Sequence, residues 1–337
     1  MKINKIEVNI TFLILSLSVF LLNFSNFNPL AIIFGFLLSF FLILLTEKLN
    51  LTKYKLTNIC LLIISLIILP IYLNKLTYFI SNNILKDYSG IVISILLLIS
   101  SLFLIKKGYH TIIKVVLLSS YFIILILLLG LLSSIYLKLD NFTINILKDN
   151  NLFRNTLLYS FLIYYTYFLT YGESSSLVNK KTLLISSCCH LLSYLFIIGI
   201  LGLTLTNLYE YAYIVIYKKI NFLNFIERIE FIFAINYLFC FYYFFLFSFY
   251  KVKSILKKVI KKDKLLTLTL VILSIIIFIV SILWLYKLIL VIHNMLFLLQ
   301  EIYLKDLNLI LYDHKCQNQL ILLHHLLVRY KLLSYPF

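Results

Sequence analysis

Long apolar runs alternate with short polar clusters along the whole chain. Crossing the hydrocarbon core of a bilayer takes a helix of about 20 apolar residues, and an open sheet cannot cross it because its edge amides would stay unpaired. The pattern therefore predicts an all-α, polytopic transmembrane helical protein with about ten spans. The predicted spans are approximately 8–24, 30–46, 57–79, 89–105, 115–137, 155–172, 183–206, 229–250, 266–286 and 288–311.

The tenth run is weaker than the other nine. From Leu288 onward the apolar pattern is interrupted by polar residues, among them Glu301 and Asp306. No hydrophilic domain and no linker rich in Pro, Gly and Ser separates the runs before it. We therefore expect one transmembrane domain over residues 1–311 and a C-terminal tail over residues 312–337, for which the pattern predicts no span.

Composition excludes a soluble protein. Hydrophobic residues make up 63% of the 337 residues, charged residues only 13%, and the mean hydropathy is +1.03, whereas soluble domains carry about 25% charged residues. The net charge of +17 comes from basic clusters between the apolar runs. We interpret it as a topology signal and an attraction to anionic membrane lipid, with no role in binding nucleic acid.

The basic clusters also predict an orientation, because lysine and arginine are retained on the cytoplasmic side of a membrane. The connections on the amino-terminal side hold most of them, including the loop Lys251–Lys264, the densest cluster in the chain. We therefore expect a cytoplasmic amino terminus. Two longer connections on the opposite side, 138–154 and 207–228, carry aromatic and apolar residues that predict interfacial or re-entrant helices.

No motif of an enzyme active site is present: the sequence has no Gly-rich phosphate loop, no HExxH and no nucleophile elbow. We therefore expect no catalytic residue, no cofactor and no metal. His190 lies in the seventh predicted span beside Cys188 and Cys189, and an ionisable residue inside a membrane is a candidate functional residue. The alternative, which we favour, is a neutral histidine that bonds to a neighbouring helix.

The densest polar cluster precedes the eighth predicted span and contains Glu227, Arg228 and Glu230. The two glutamates lie three residues apart and share one face of a helix, and Arg228 can pair with a carboxylate there. Two interpretations stay open. The cluster is either a solvated helix start, where glutamate is favourable at the positive end of the helix dipole, or a structural or gating element.

Three segments resemble the spore-germination permeases, the B subunits of germinant receptors. The stretch Tyr211–Glu230, ending Phe-Ile-Glu-Arg-Ile-Glu, is similar to that family's outer amphipathic segment and its FxERxE helix start. Lys107–Lys114 is similar to its kGxxxixR junction, and Asp140–Leu147 to its nxxPil loop. The three occur in the family's order and spacing, and the resemblance covers roughly residues 1–286.

The resemblance implies a fold and a site. The family belongs to the amino acid/polyamine/organocation permease superfamily, which implies two inverted five-helix repeats of the LeuT-like kind, with the first and sixth helices unwound at the ligand. Carried over to this chain, the ligand-binding residues are Ser16, Ser18, Tyr165 and Thr166. Two departures concern this site. The first span has no glycine, and Tyr164, Tyr165 and Thr166 stand where the family has a carboxylate in the sixth span.

The resemblance further implies a permease-like receptor subunit in the inner spore membrane of an endospore-forming bacterium. It would bind a small germinant, such as an amino acid, and signal germination with receptor subunits of the A and C types. The alternative within transport is an amino acid permease driven by an ion gradient. A polysaccharide flippase or polymerase is disfavoured, because only Arg154 and Arg228 are arginines of the predicted outer loops.

Overall fold

The structure, a computed structural model, describes residues 4–23, 27–49, 55–85, 87–134, 151–171, 178–208, 211–219, 229–260 and 262–283. By internal packing the chain forms two units, Met1–Ile282 and Leu283–Phe337. The first unit contains the helices described below, except that the last of them ends one residue beyond it. The predicted domain boundary at residue 311 and the predicted tenth span lie outside the described residues.

Every regular element in these ranges is an α-helix, which confirms the all-α part of the prediction. The helices are α1 Lys5–Leu22, α2 Pro29–Leu49, α3 Lys55–Asn83, α4 Gly90–Lys107, α5 Tyr109–Ser134, α6 Leu152–Thr170, α7 Lys180–Leu208, α8 Ala212–Lys219, α9 Ile229–Val259 and α10 Asp263–Leu283.

Six of the described helices, α2, α3, α4, α7, α9 and α10, are long and apolar enough to cross a membrane. Their outward faces are apolar as well: α4 exposes Leu96 and Phe103, and α10 exposes Leu268 and Ile276. Apolar surface this continuous is unfavourable in water and matches the hydrocarbon of a bilayer. The chain is therefore an integral membrane protein with several membrane-spanning helices.

The helix α9 packs against α1, α3, α4, α5, α6 and α8 and supplies much of the core. Its buried face is aromatic and includes Phe241, Phe244 and Phe249. Two hydrogen bonds join it to α1: the Tyr237 hydroxyl donates to the Leu21 carbonyl at 2.7 Å, and the Ser18 hydroxyl lies 2.7 Å from the Cys240 carbonyl. Between helices in lipid, close packing and such bonds replace the hydrophobic effect as the source of association.

The helices α2 and α6 approach each other closely at Gly35. A Cβ atom added to Gly35 would lie 2.7 Å from Cδ1 of Tyr159 and 2.9 Å from the Thr156 carbonyl oxygen. Small residues at helix contacts allow backbones in membranes to come this near. Tyr159 is thereby held against α2, and this contact positions it in the site described below.

One end of the bundle carries most of the lysines and is called the basic end. There α9 binds the ends of two other helices: Nζ of Lys251 donates to the Tyr171 carbonyl after α6, and Nζ of Lys253 donates to the Ile105 carbonyl of α4, both at 2.7 Å. The last carbonyls of a helix lack intrahelical partners, and a cation also stabilises the negative end of the helix dipole. The sequence predicts a loop from Lys251 to Lys264. This prediction is wrong for residues 251–259, because α9 continues through them as far as Val259.

The resemblance implies unwound first and sixth helices, and the structure corrects this expectation. Both α1 and α6 run without interruption over their full lengths. Neither contains Gly or Pro, the residues at which helices most often break or kink. Their serine and threonine hydroxyls bond to carbonyls of the preceding turn, as Ser16 does to Leu13 and Thr166 to Ile163.

The interrupted helix is α7, whose two segments meet at Gly202. The backbone of Gly202 has φ 76° and ψ 162°, a combination accessible essentially only to glycine. Beyond it lies α8, a short helix within the connection predicted at 207–228. Its residues Ala212, Ile214 and Ile216 are buried, and it packs against α7 and α9. The other long connection, 138–154, lies almost entirely outside the described residues.

Candidate functional site

The four predicted ligand residues are all buried where α1 and α6 meet the rest of the bundle. Their hydroxyls, however, point to different neighbours. Ser18 bonds toward α9, and the Tyr165 hydroxyl donates to Oγ of Ser65 on α3 at 2.9 Å. Thr166 bonds within α6, and Ser16 alone of the four lines the cavity described next. The helices α1 and α6 are in contact, but the structure does not gather the four hydroxyl groups around one ligand volume.

A cavity of about 330 Å³ lies between α1, α5, α7 and the start of α8, and is called the α1–α7 cavity. Most of its lining is apolar, and its polar lining residues are Ser16, Ser186, Cys189, His190, Ser193 and Tyr213. Its volume falls at the lower end of the range of about 300–1,000 Å³ for small-molecule sites. Exposed side chains, among them Ile124 and Leu192, form its rim. The cavity thus opens toward the lipid-facing surface.

His190 forms a buried polar contact in the wall of this cavity. Its side chain is almost fully buried, and Nδ1 lies 2.8 Å from the Tyr159 hydroxyl oxygen on α6. The imidazole stacks on Phe20 of α1 with ring centroids 4.6 Å apart and planes 5° from parallel. The histidine therefore bonds to a neighbouring helix, in agreement with the interpretation favoured from the sequence.

The imidazole of His190 can also form a hydrogen bond to a ligand. A neutral histidine carries one N–H donor and one acceptor nitrogen. In the tautomer in which Tyr159 donates to Nδ1, the ring proton sits on Nε2 and is the remaining donor of the residue. Together with the serine hydroxyls of α1 and α7, it gives the mainly apolar cavity a small set of neutral hydrogen-bonding groups.

A second cavity, of about 420 Å³, lies between α2, α3 and α6 and has Tyr165 in its wall. The other lining residues are Leu38, Leu42, Leu61, Ile64, Leu157, Ser160, Phe161, Tyr164 and Phe168. The Tyr165 hydroxyl is already bonded to Ser65, and the Ser160 hydroxyl to the Leu157 carbonyl. This cavity offers fewer polar groups than the α1–α7 cavity, which we therefore take as the candidate site.

The predicted structural or gating cluster falls largely outside the described part of the chain. Glu227 and Arg228 are not among the described residues, and of Glu230 only the backbone, at the start of α9, is described. Their proposed pairing stays a prediction. Among the described residues, no group of three or more His, Cys, Asp and Glu side chains is placed to hold a metal ion.

Tyr159, Ser186 and Ser193 are site residues that sequence reasoning did not identify. Tyr159 is one of 26 tyrosines, and the serines lie in a run with no distinguishing motif. Their one available signal is spacing: Ser186, Cys189, His190 and Ser193 follow each other at intervals of three, one and three residues, which puts them on one face of a helix.

No protein-family model matches the sequence, and no curated protein and no solved structure is similar to it. The resemblance to germination permeases therefore depends on the three short sequence segments alone.

Proposed function

We propose that this chain is the permease-like membrane subunit of a spore germinant receptor and that it binds a small germinant in the α1–α7 cavity. The observation that carries the proposal is the cavity itself, an open volume between the first and seventh helices with neutral polar groups on a mainly apolar wall. The three segments that resemble the family supply the rest of the argument. The expected location is the inner spore membrane with a cytoplasmic amino terminus.

The helix contacts support a five-plus-five repeat. In such a repeat, a two-fold rotation superposes each span of the first half on the span five places later. It would therefore superpose α1 on α6, α2 on α7 and α3 on α9. The helix α9 counts as the eighth span because α8 is too short to cross the membrane. All three pairs are in contact. The same exchange converts the contact of α1 with α7 into that of α6 with α2, and both contacts occur as well. The contacts reflect the inverted repeat of such permeases only in part, because the packing of α1 on α9 has no counterpart of similar extent between α6 and α3.

The chemistry of the cavity favours one class of germinant. The described lining contains no ionised side chain, so hydroxyl groups and the imidazole of His190 are the polar partners on offer. Most of the wall is aliphatic and aromatic. A ligand with an apolar body and its polar groups at one end fits this arrangement, and an aliphatic amino acid is such a molecule. Glutamate and lysine would bury a further charge on the side chain, besides the ammonium and carboxylate groups that every amino acid carries, and no ionised residue of the described lining would pair with it.

The continuity of α1 and α6 favours sensing over transport. Ion-coupled permeases of the superfamily use unwound backbone in these two helices to bind substrate and coupling ion. In this chain both helices keep their backbone groups in intrahelical hydrogen bonds. We therefore infer that ligand binding is passed to partner subunits of the A and C types and is not followed by turnover.

Binding of radiolabelled L-leucine to the purified protein in nanodiscs tests the proposal, with L-glutamate as the comparison ligand. We expect saturable binding of leucine that Ser186→Leu abolishes, because the new side chain fills the cavity. Ser187→Leu is the matched control, since Ser187 lies beside it on the outward side of α7 and bonds only to its own helix. Thermal unfolding of both variants verifies that they are folded.

Two outcomes contradict the proposal. If neither labelled leucine nor labelled glutamate binds saturably, the cavity is not the germinant site. The same conclusion follows if Ser186→Leu and Ser187→Leu lose leucine binding equally. Proteoliposomes separate sensing from transport: accumulation of leucine inside the vesicles along an imposed proton or sodium gradient identifies a working permease. Co-purification with A-type and C-type subunits is expected only of a receptor.

A further inference from the structure

A third cavity, of about 430 Å³ and with a polar lining, lies at the basic end between α9 and the junction of α4 with α5. It is called the lysine cavity. Its lining consists of Lys106, Gly108, Tyr250, Lys253, Ser254, Lys257 and Lys258. Four of these seven residues are lysines, and none is an Asp or Glu. The lining therefore concentrates positive charge that no carboxylate in the same wall compensates.

Two of the four lysines, Lys253 and Lys258, are held by neighbouring helices. Lys253 is fixed by its 2.7 Å bond to the Ile105 carbonyl and lies over the Tyr250 ring, with Nζ 5.8 Å from the ring centroid. Lys258 reaches across to α3, where its Nζ lies 3.4 Å from Oδ1 of Asn58. Fixed like charges repel one another, and an anion bound between them relieves this repulsion.

The backbone at the junction adds to the same field. Gly108 has φ 102°, and no atom lies within 4 Å of the position that a Cβ would occupy there. The helix α5 begins at the next residue, Tyr109, so the positive end of its dipole lies at the edge of the lysine cavity. The apolar surface of α4 begins within one turn of it, where Phe103 is 62% exposed.

We propose that the lysine cavity binds the phosphate group of an anionic membrane phospholipid. Basic pockets between helices at a membrane surface bind lipid headgroups of this charge. The position of the cavity decides in favour of a lipid over a soluble phosphate, because acyl chains attached to the bound headgroup would lie along the exposed apolar face of α4. The lipid would thereby join the α4–α5 junction to α9. This proposal does not depend on the proposed germinant.

The experiment measures binding of a fluorescent phosphatidylglycerol to the purified full-length chain in neutral detergent, with phosphatidylcholine and inorganic phosphate as competitors. The test variant is Lys106→Gln with Lys257→Gln, both exposed side chains of the cavity wall. The control variant is Lys180→Gln with Lys181→Gln. These two exposed lysines lie at the start of α7, outside the cavity, so the control removes the same two positive charges as the test variant.

We expect the test variant to bind phosphatidylglycerol about 30-fold more weakly, since each lysine at an anionic surface contributes about five-fold. The control variant should bind like the unchanged protein, and phosphatidylcholine should not compete. Equal weakening in both variants would show a general electrostatic attraction and overturn the site. Competition by millimolar inorganic phosphate as effective as that by unlabelled phosphatidylglycerol would make the ligand a soluble anion and also overturn the proposal.

Discussion

The hydroxyl oxygen of Tyr159 lies 2.8 Å from Nδ1 of His190, so that α6 and α7 are joined by a buried side-chain hydrogen bond beside the α1–α7 cavity. Gly35 of α2 holds the tyrosine ring from one side, and Phe20 of α1 covers the imidazole. Four helices thus meet at one polar contact. A ligand that reaches His190 can therefore affect the packing of α6 and α7 together.

Removing one partner of this bond should lower stability. In a double-mutant cycle of Tyr159→Phe and His190→Leu, we expect a coupling free energy of roughly 0.5–2 kcal/mol, as for other side-chain bonds between membrane helices. Thermal or denaturant unfolding in detergent measures it. The control is Tyr121→Phe, because Tyr121 is 77% exposed on α5 and its loss should leave unfolding unchanged. Additive effects of the two substitutions would contradict the coupling.

Gly35→Ala should separate α2 from α6. The added methyl group would lie 2.7 Å from a Tyr159 ring carbon and 2.9 Å from a backbone oxygen, and neither can move away without a shift of α6. Overpacking of this kind costs about 1–3 kcal/mol. Gly90→Ala is the matched control, since its new Cβ meets only the methyl group of Thr77, at 3.2 Å. A melting temperature equal for both variants would disagree with the close approach.

Gly202→Ala should strain α7 at the point where its two segments meet. A side chain at φ 76° and ψ 162° costs about 1–3 kcal/mol. We expect a lower melting temperature in detergent, whereas leucine binding measured well below that temperature should change little, because the α7 residues that line the cavity lie before the break. A variant as stable as the unchanged protein would mean that α7 can be continuous through residue 202.

The orientation is testable with single cysteines in a background that lacks the native ones. Ser254→Cys at the basic end should react with a membrane-impermeant maleimide only after permeabilisation, because lysine-rich ends stay in the cytoplasm. Ser89→Cys, before α4 at the opposite end, should react in intact cells. The reverse pattern would place the amino terminus outside.

Arg228 lies outside the described residues, and its role is predicted from the sequence. Loss of one partner from a partly desolvated ion pair costs about 3–5 kcal/mol, because the other charge is left unpaired. Arg228→Ala should therefore reduce membrane abundance and co-purification of partner subunits, whereas Lys219→Ala should have little effect. Unchanged abundance in both variants would show that Glu227, Arg228 and Glu230 form only a solvated helix start.

Hydropathy was sufficient to place the long helices that the structure describes, because spanning a bilayer requires a long apolar run whatever the neighbours are. It placed the end of α9 too early, at residue 250. Lys251 and Lys253 have the charges of a loop, but their ammonium groups bind carbonyls at the ends of α6 and α4. Such tertiary partners are not visible in a single sequence.

The site was less predictable than the helices. His190 stood out as an ionisable residue in an apolar run, whereas its partner Tyr159 did not, because a tyrosine bonds to histidine only after two helices have packed. Ser16 and Ser18 both lie in α1, yet one lines the cavity and the other bonds to α9. Two residues along a helix is about 200° of rotation, and only the positions of the neighbouring helices decide which side is the cavity.

The central place of α9 has a consequence for biosynthesis. The helix α1 leaves the ribosome more than 200 residues before α9, to which it is joined because Ser18 bonds to Cys240 and Tyr237 to Leu21. During most of translation, α3 therefore sits in the bilayer without its main partner, and α1 without one of the helices on which it packs. A nascent chain interrupted before residue 229 can insert its helices but cannot close the bundle. Assembly of the bundle is thus completed only with the last third of the polypeptide, and an insertase or chaperone that shields the buried faces of α1 and α3 in the interval would act before the bundle closes.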